Sequence, residues 1–455
     1  MNIIITGAGH VGFNLAEYFT ALGHQITVID HDKGLCDHIN SKLDVFVVNG
    51  PGSSPAVLAE ANIDRADMLI AVTSNDEANL LACNFAMQKG VKRRIARVRS
   101  SAYLEVEGAG GIDLESTGVT CLVEPERGVV DRILQYVDLP GVLETANFQS
   151  NRIYLRGYRV EEGMPLANKS LRDIRAMSSE NPMLFVVIVR EGKTIPPVGD
   201  EVLLPGDEVV AIMPKESFPH FRALINSESL KRRKIVVSGS SLTAVHLAQA
   251  LKPMADTVVL ADPDLEHGTF AASTLEGVDV FHGDTTDPSV LEEINIRDAD
   301  CFIAAGDQED NIMACLIAKA EGAGMVIAIR DDERYSGLFD SIGLDHVINT
   351  REIVLNTIIE RIQTVSIGVY LKLRSSDTEV VRFSAGRKSR VAGKTLIQLE
   401  KQFRKKAIVG CLVRNGEVVI PGGETRIEAD DEAIIFCGKD FLPRVKKLFN
   451  PPEKE

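Results

Sequence analysis

The chain has 455 residues, and its 45% hydrophobic and 25% charged content is that of a globular protein with ordinary apolar cores. Its length predicts three or four domains. The formal net charge of −15 argues against a nucleic-acid partner, because a protein that binds nucleic acid neutralises phosphates with a basic face. No apolar run approaches the roughly 18 residues that cross a bilayer, and no secretion signal precedes the first strand, so we expect a cytoplasmic protein.

Short apolar runs alternate with helical patterns over residues 1–139. Six runs have the length and composition of buried strands: Ile3–Ile5, Ile26–Ile29, Val45–Val48, Met68–Val72, Ile95–Val98 and Cys121–Val123. Strands that alternate with helices predict an α/β fold, here a Rossmann-like doubly wound parallel sheet. A further helix is expected from Pro125 or Glu126, and Pro140-Gly141 marks the end of the domain.

A G-x-G-x-x-G turn directly follows the first predicted strand and opens the first helix. Its six residues are Gly7, Ala8, Gly9, His10, Val11 and Gly12. Gly7 permits the tight turn, Gly9 lacks a Cβ that would strike a pyrophosphate, and Gly12 lets the helix approach the sheet. The amides at the start of the helix attract phosphate. We therefore predict that this turn binds the diphosphate of a nucleotide.

Polar side chains close three further strands at the same edge of the predicted sheet. Asp30 ends the second strand, where a carboxylate accepts from ribose hydroxyls and repels a 2′-phosphate, which favours NAD(H) over NADP(H). Thr73 and Ser74 follow the fourth strand, and Arg97 and Arg99 lie at the fifth. Because doubly wound sheets bind ligands at this edge, we predict that these residues contact the nucleotide and that one arginine reaches a phosphate.

Residues 140–230 show a different pattern, with short strands and frequent turns. The runs Val186–Val189, Val202–Leu204 and Val209–Ile212 predict strands, and helices are expected around Ser170–Ala176 and Ser217–Ile225. We interpret this segment as a small α+β domain. It is too small and too rich in turns to be the substrate domain of a dehydrogenase.

The chain then repeats both domains. The segment "NIIITGAGHVGFNLAEYFT", from Asn2, aligns with "KIVVSGSSLTAVHLAQALK", from Lys234, at a constant shift of 232 residues. The segment "VREGKTIPPVGDEVLLPGDEVVAI", from Val189, resembles "VRNGEVVIPGGETRIEADDEAIIF", from Val413. This order predicts two tandem units, with Rossmann-like domains at 1–139 and 231–365, each followed by a small domain, at 140–230 and 366–450.

The second glycine turn has lost part of its pattern. Gly239 persists, but Ser241 replaces the middle glycine and Ala244 the last one. A serine Cβ at the middle position crowds a diphosphate, whereas Asp262 keeps the place of the ribose-binding acid. We assign Gly239 and Asp262 to a second nucleotide site. A mononucleotide, a dinucleotide and no nucleotide are all compatible with this altered turn.

The motifs that would indicate an enzyme are missing from the sequence. Hydride transfer needs a proton donor near the reacting carbonyl, yet no histidine recurs between the two copies at a strand end. We interpret His10 and His24 as turn or surface residues. The seven cysteines are scattered without a CxxC or Cys/His cluster, so we expect reduced core thiols and no metal site.

These features resemble the RCK (KTN) regulatory proteins, and among them the family of Trk-type potassium uptake regulators that carry two tandem RCK units. The residues behind the resemblance are the tandem order, the "GAGHVG" turn, Asp30, the string "DMLIAVTSNDEANLLAC" from Asp67 and "PGDEVV" in the small domain. It implies that the Rossmann-like domains bind NAD(H) or the adenine nucleotides ATP and ADP. By position, the residues that match the family's nucleotide contacts are Gly7, Gly9, Gly12, Asp30, Thr73, Ser74 and Arg97.

The resemblance also implies the partners. The family forms homo-oligomers, dimers or tetramers that build a ring of RCK units beneath a membrane potassium channel or transporter, and nucleotide exchange changes the ring and gates transport. It therefore implies a sensor without catalytic residues, held at the inner face of the plasma membrane by its partner. Amphipathic helices beginning near Glu126 and Glu352 are the candidate transmitting elements, and packing within the chain is the alternative role.

Two other functions remain as alternatives. An NAD-dependent oxidoreductase would need a base that the motifs do not reveal, and replacing His10 or His24 would then abolish its turnover. A redox-responsive transcriptional regulator would need a DNA-binding element, and the acidic charge and the lack of a helix-turn-helix pattern weigh against it.

Overall fold

The structure is a computed structural model that describes residues 1–99, 116–139, 141–149, 151–225, 232–306, 308–330, 342–361, 367–373, 376–403 and 406–449. The chain divides into two compact units, Met1–Ile133 with Arg232–Arg361, and Leu134–Lys231 with Ile362–Glu455. The first unit contains two parallel sheets, and the second contains two antiparallel sheets. Within the described ranges, no helix combines the length and the apolar character that a membrane span requires.

Six parallel strands form the first sheet, and each lies within two residues of a predicted run. The strands are β1 (Asn2–Thr6), β2 (Gln25–Asp30), β3 (Phe46–Asn49), β4 (Met68–Ala71), β5 (Arg93–Arg97) and β6 (Cys121–Val123). They pair in the order β3-β2-β1-β4-β5-β6, which is that of a doubly wound fold. The helices of this domain are α1 (His10–Ala21), α2 (Lys33–Lys42), α3 (Pro55–Glu60), α4 (Asp76–Gln88) and α5 (Pro125–Asp138).

The strand order reverses between β1 and β4, and this reversal positions the ligand edge. From β1 the chain builds outward through β2 and β3, and it then crosses over to build β4, β5 and β6 on the other side. The central strands are apolar because both faces are covered: Ile3, Ile4, Ile5 and all four residues of β4 are buried. Loops that leave β1 and β4 in opposite directions open a crevice at the carboxyl ends of these strands.

The first small domain is an antiparallel sheet of five strands with two helices. The strands are β7 (Val142–Phe148), β8 (Ile153–Arg159), β9 (Leu184–Arg190), β10 (Lys193–Ile195) and β11 (Glu208–Pro214), and the helices are α6 (Leu171–Met177) and α7 (Phe218–Leu224). The order is β10-β9-β11-β8-β7. Ser170 caps α6 by accepting from Asp173 N, which explains why the predicted helix begins there.

The sequence analysis did not predict β7 and β8. Both strands place polar residues in buried positions, where Glu144 and Thr145 on β7 and Arg156 on β8 are at most 4% exposed. The guanidinium of Arg156 lies over the rings of Tyr154 and Phe218, which shields its charge inside the domain. These polar residues interrupt the apolar runs by which the other strands are recognised.

The predicted strand at Val202–Leu204 is wrong. Only Val202 pairs, in an isolated bridge to Ser170. Leu203 is fully buried, and its N–H donates to the carbonyl oxygen of Lys169 at 3.0 Å. Leu203 therefore anchors a loop to the core, whereas Val202 and Leu204 are exposed, and the run does not extend the sheet.

The second half of the chain repeats both folds. Its parallel sheet has the strands β12 (Arg232–Ser238), β13 (Ala255–Asp262), β14 (Asp279–His282), β15 (Cys301–Ala304), β16 (Met325–Arg330) and β17 (His346–Asn349), in the order β14-β13-β12-β15-β16-β17. Its helices are α8 (Leu242–Leu251), α9 (Leu265–Thr274), α10 (Pro288–Glu293), α11 (Gln308–Ala320) and α12 (Thr350–Arg361). This order matches that of the first sheet strand for strand.

The second small domain has the strands β18 (Ile367–Lys372), β19 (Thr378–Ser384), β20 (Ala407–Arg414), β21 (Glu417–Val419) and β22 (Glu432–Gly438), and the helices α13 (Leu396–Phe403) and α14 (Leu442–Phe449). Its sheet order, β18-β19-β22-β20-β21, repeats that of the first small sheet. The two small sheets share one apolar core, in which Val187 and Val210 pack with Cys411 and Phe436. The predicted fold class of two tandem α/β and α+β units is confirmed.

All seven cysteines are free thiols, and all except Cys121 are buried. Burial raises the pKa of the Cys83, Cys301 and Cys437 thiols to about 12. These thiols are therefore protonated at neutral pH and fill the core, as the sequence predicts.

Each small domain contains the same buried ion pair. In the first, Asp207 is 1% exposed and accepts from Arg190 Nε at 2.7 Å and from Arg190 Nη2 at 2.8 Å. In the second, Asp431 is 1% exposed and accepts from Arg414 Nε at 2.9 Å and from Arg414 Nη2 at 2.8 Å. The pair ties the turn before the last strand of each sheet to the strand beside it.

Acid should weaken the first small domain through Asp207. Burial alone would raise the pKa of Asp207, because it disfavours the charged carboxylate. The hydrogen bonds from Arg190 and from the Leu204 N–H, together with the charge of Arg190, outweigh burial, so the pKa of Asp207 is lowered. A carboxyl whose pKa is lower in the folded chain stabilises the fold above its unfolded pKa of about 3.9 and stops doing so as the pH falls through the folded pKa. We expect the free energy of unfolding to decrease as the pH is lowered below about 4. Urea unfolding across a pH series measures this decrease.

Asp207→Asn is the control for this pH dependence. The variant lacks the titrating group, so its unfolding free energy should start lower at neutral pH and change less between pH 4 and pH 2. An equally steep dependence in both proteins would assign the acid sensitivity to other groups.

Candidate nucleotide-binding site

A cleft of about 310 Å³ opens at the carboxyl edge of the first parallel sheet. Nine of the predicted contacts line it: Gly7, Gly9, His10, Val11, Gly12, Asp30, Thr73, Ser74 and Arg97. Ala8 is buried behind the lining. Gly239 and Asp262 lie instead at the equivalent edge of the second parallel sheet.

Gly7 and Gly12 are glycines for reasons of packing. Gly7 has a φ of +106°, and a Cβ there would lie 3.0 Å from the backbone nitrogen of Thr73. A Cβ on Gly12 would lie 1.8 Å from the carbonyl oxygen of Gly7. A side chain at either position would force α1 and the turn away from the ends of β1 and β4.

Gly9 is a glycine for neither of these reasons, since it has no positive φ and no close packing contact at its Cβ position within the described residues. Its φ of −64° and ψ of −176° are extended values that any residue adopts. Apart from its two chain neighbours, no atom of the residues that the structure describes lies within 4 Å of the position that its Cβ would take. Gly9 is the N-cap of α1 and provides no side-chain cap, so the first amides of the helix keep their donors for another partner. The turn leaves room for a diphosphate at this point.

Asp30, at the end of β2, braces the glycine turn. Its Oδ2 accepts from the backbone N–H of Ala8 at 2.6 Å, and its Oδ1 accepts from that of Asp32 at 2.9 Å. The side chain is 8% exposed, its Oδ1 also lies 3.1 Å from His31 Nδ1, and its Oδ2 retains a further lone pair for a ribose hydroxyl. The carboxylate thus holds the turn in shape, and its role as a ribose acceptor stays a prediction.

Asn79, on α4, joins the ends of β4 and β5, and the sequence analysis did not single it out. It is fully buried, and its Oδ1 accepts from Thr73 N at 3.0 Å and from Thr73 Oγ1 at 2.7 Å. Its Nδ2 donates to the carbonyl oxygen of Arg97 at 2.9 Å. The internal repeat could have identified this residue, because Asn79 begins "NLLAC" and Asn311 begins the matching segment "NIMAC". In the second domain, Asn311 Nδ2 donates in the same way to the carbonyl oxygen of Ile329.

The two ends of the cleft differ in charge. Asp30 ends β2 and Arg97 ends β5, three strand spacings away, which is about 14 Å at the usual strand separation. Arg99 lines the same cleft, and its N–H donates to Asp76 Oδ2 at 2.9 Å. Glu126 lies at the start of α5, and its burial raises the pKa of its carboxyl group. A hydrogen bond from its own N–H and the charges of Arg97 and Arg99 act to lower this pKa, but burial has the larger effect. A ligand with its ribose at Asp30 and its phosphates toward Arg97 matches this polarity.

The second Rossmann-like domain contributes to the same cleft. Thr350 and Arg351, the first residues of α12, are part of its lining. Helix α12 packs against α1 and β6, and a Cβ on Gly128 of α5 would lie 2.6 Å from Cγ2 of Ile353 on α12. The sequence analysis named both helices as transmitting elements but did not assign Thr350 or Arg351 to the site, because local motifs do not reveal contacts between distant segments.

The second glycine turn is closed by its own serine. Ser241 has φ −55° and ψ 159°, close to the conformation of Gly9. Its Oγ accepts from Ala244 N at 3.2 Å and donates to the carbonyl oxygen of Ala305 at 2.9 Å. The hydroxyl thereby caps α8 at the point where the first turn leaves the helix amides without a side-chain cap.

Gly239 and Asp262 keep the geometry of their counterparts in the first turn. Gly239 has a φ of +100°, and Asp262 is 7% exposed at the end of β13. Asp262 Oδ1 accepts from Asp264 N at 2.7 Å, as Asp30 does from Asp32. The shape of the turn persists, and the Ser241 hydroxyl accepts from a helix amide whose counterpart in the first turn has no side-chain cap; the assignment of Gly239 and Asp262 to a nucleotide site stays a prediction.

Two domain-family models match most of the chain. The TrkA-N domain matches residues 3–114 and 235–350, and the TrkA-C domain matches residues 155–226 and 380–450. Together they repeat in the tandem order that the sequence predicts.

Full-length relatives have the same organisation. The chain is 30% identical over 455 residues to the Trk system potassium uptake protein TrkA of Halomonas elongata, covering 99% of this chain and 98% of the relative. It is 29% identical over 455 residues to the protein of that name from Azorhizobium caulinodans, with 99% and 98% covered. A TrkA homolog of Archaeoglobus fulgidus is 29% identical over 450 residues, with 99% and 100% covered.

Solved structures share the fold at lower identity. The GsuK RCK domain superposes with a TM-score of 0.60 at 18% identity, covering 98% of this chain and 94% of that one. The GsuK channel bound to NAD gives a TM-score of 0.61 at 18% identity, with 98% and 78% covered. At this identity the likeness supports the tandem RCK fold alone.

Proposed function

The chain belongs to the TrkA family of Trk system potassium uptake proteins, and from this membership we propose that it is the nucleotide-sensing regulatory subunit of a potassium uptake transporter. It acts as a regulator and not as an enzyme. A nucleotide binds in the cleft of the first Rossmann-like domain, and ligands that prefer different conformations shift the balance between them without turnover. The membrane partner responds with a change in potassium flux.

Gly9 is the observation that carries this proposal. Neither backbone conformation nor packing requires glycine there, so the missing side chain is explained by a ligand that approaches the backbone closely. Three groups line the cleft in the order that a nucleotide needs: Asp30 for the ribose, the amides at the start of α1 for the diphosphate, and Arg97 and Arg99 at the end of β5.

The ligands are NAD(H) and the adenine nucleotides ATP and ADP. All of them contain an adenosine whose ribose hydroxyls suit Asp30 and a diphosphate that suits the glycine turn. A 2′-phosphate would meet the Asp30 carboxylate, so NADP(H) binds less well. Gly7, Ala8, Gly9, His10, Val11, Gly12, Asp30, Thr73, Ser74 and Arg97 form the first site in this proposal.

The partners follow from the family role. The protein works as a homo-oligomer, a dimer or tetramer that forms a ring of RCK units, beneath a membrane-embedded potassium transporter. It is thereby held at the inner face of the plasma membrane through its partner. The Rossmann-like domain at 1–139 senses the nucleotide, the one at 231–365 contributes Thr350 and Arg351 to the same cleft, and the small domains at 140–230 and 366–450 provide contacts between chains.

Calorimetric titration of the purified full-length chain with NADH, NAD, ATP and ADP tests the proposal. We expect saturable binding of one nucleotide per chain, because Ser241 closes the second turn. When the chain is reconstituted with its transporter in vesicles, the same nucleotides should change the rate of potassium uptake.

Two results would overturn the proposal. Absence of binding by every adenosine-containing compound would remove the sensor, and steady oxidation of NADH with small carbonyl substrates would identify an oxidoreductase. The His10→Gln and His24→Gln variants separate these readings, since only an oxidoreductase has turnover that such a variant could lose.

A further inference from the structure

The two small domains have the same fold but differ in the charge of one surface. In the second domain, the loop after β19 and the helices α13 and α14 carry six basic residues, which form the basic patch: Lys388, Arg390, Lys401, Arg444, Lys446 and Lys447. The internal repeat aligns them with Gly163, Pro165, Ala176, His220, Arg222 and Ala223 of the first domain. Arg222 is the one lysine or arginine of that set, and it is buried against Asp138 at 2.5 Å. The common fold therefore does not require the basic patch.

Two hydrogen bonds hold the three segments of the basic patch side by side. Arg444 Nε, on α14, donates to the carbonyl oxygen of Gln402 on α13 at 3.2 Å. The Arg390 N–H, in the loop, donates to the carbonyl oxygen of Leu448 on α14 at 2.9 Å. The six residues therefore lie on one continuous surface of the domain.

The charges of the basic patch are not neutralised within the part of the chain that the structure describes. Lys446 is half-buried and the other five residues are exposed. No carboxylate of the described residues forms an ion pair with any of the six, and Glu400 is the one acidic residue on the two helices. Like charges that are gathered in this way repel one another, so the surface suits an anionic partner.

The apolar face of α14 is already in use. Val445, Leu448 and Phe449 are buried in the core of the domain, and the rings of Phe449 and Phe383 stack with their centroids 5.1 Å apart. A partner therefore meets the charged face of this helix and not its apolar face. The attraction is electrostatic, and salt screens it.

The composition of the basic patch favours a lipid surface over a protein. Four of its six residues are lysines, which are depleted at interfaces between proteins and attract phosphate as point charges without a paired geometry. Clusters of about four to eight lysines and arginines are typical of surfaces that bind anionic headgroups. The proposed function places the chain at the inner face of the plasma membrane, where such headgroups are within reach.

We propose that the basic patch binds the anionic lipid headgroups of the inner leaflet. This contact is additional to the one with the transporter, and it rests on the proposed function for the location at the membrane. The whole chain carries a net charge of −15, so an anionic membrane repels most of its surface and attracts this part. The basic patch thereby turns the second small domain toward the membrane.

Co-sedimentation of the full-length chain with lipid vesicles tests the proposal. We expect binding to vesicles of phosphatidylcholine mixed with phosphatidylglycerol, and none to vesicles of phosphatidylcholine alone. Raising the salt from about 0.1 M to about 1 M shortens the Debye length from about 10 Å to about 3 Å and should release the chain. The triple variant Lys388→Gln, Lys401→Gln, Lys447→Gln should bind roughly 100-fold more weakly, because each charge near an anionic surface is worth about 5-fold.

A second triple variant, Lys92→Gln, Lys193→Gln, Lys215→Gln, is the matched control. These three lysines are exposed and lie outside the basic patch, and the variant has the same net charge as the first. It should bind the vesicles like the wild type to within about 3-fold, since only local charge enters the contact. Circular dichroism melting should show the same stability for both variants, because surface lysines without ion pairs contribute little to folding.

Two results would overturn the inference. One is that the wild-type chain does not bind the anionic vesicles, and the other is that both triple variants bind them equally well. If the first variant keeps its vesicle binding but changes its oligomeric state in light scattering, the basic patch is a contact between copies and the lipid role is rejected. Nucleotide titration of the same preparations separates this inference from the proposed function, since either binding activity can be lost while the other remains.

Discussion

Gly9→Asp is expected to abolish nucleotide binding and to leave the chain folded. The new side chain enters open space and a backbone conformation that aspartate adopts freely. Aspartate is also a favoured N-cap, so α1 should become slightly more stable. In the cleft, however, the carboxylate takes the position of the diphosphate and repels any phosphate nearby. A like-charge contact costs several kcal/mol, so affinity should fall by at least about 100-fold.

The chain offers a matched control in its second turn. Ser241→Asp makes the corresponding change at the equivalent N-cap, where a serine hydroxyl already accepts from the helix amide of Ala244. Titration with ATP and NADH should show wild-type binding for Ser241→Asp and none for Gly9→Asp. Gly9→Ser, which copies the second turn into the first, should also lose affinity. Wild-type binding by Gly9→Asp would show that the nucleotide does not use this turn.

The parallel sheets are the part of the fold that the sequence predicts best. Their strands are buried on both faces, so each reads as a continuous apolar run, as in β4, and the repeat supplies every run twice. The small sheets are harder because pairing there depends on the tertiary neighbours of each strand. Arg156 is buried on β8 because Tyr154 and Phe218 cover its charge, and Leu203 is buried outside any strand. Composition alone distinguishes neither case.

The candidate site also has a part that the sequence predicts and a part that it does not. The glycine turn and Asp30 belong to one local strand–turn–helix segment, and their spacing in the sequence determines their arrangement in space. Asn79 is local as well, and its recurrence as Asn311 could have identified it. Arg351 enters the cleft only because α12 packs against α1, and that contact depends on two complementary surfaces. No spacing rule connects residues that are brought together by the docking of domains.

Asp431→Ala should destabilise the second small domain by about 3 kcal/mol, which is the lower end for a broken buried ion pair. Asp431 accepts two hydrogen bonds from Arg414 and one from the Glu428 N–H at 2.8 Å, and the variant leaves all of these donors without their acceptor. The lower end applies because the Arg414 side chain is 28% exposed and retains an ion pair with Glu428 at 2.7 Å. Hydrogen exchange of the β20 and β22 amides measures the loss as faster opening.

Arg387→Ala is the control for this prediction within the same domain. It breaks an exposed pair, in which Arg387 and Asp430 are 3.7 Å apart and 85% and 71% exposed, so it should change the opening free energy by less than about 0.5 kcal/mol. Asp207→Ala should reproduce the larger effect in the amides of β9 and β11, because the same pair recurs there with Arg190. Equal effects of Asp431→Ala and Arg387→Ala would mean that burial adds nothing to the stability of the Arg414–Asp431 pair. The repeated Arg–Asp contact would then not be the interaction that holds the last strand of each small sheet to its neighbour.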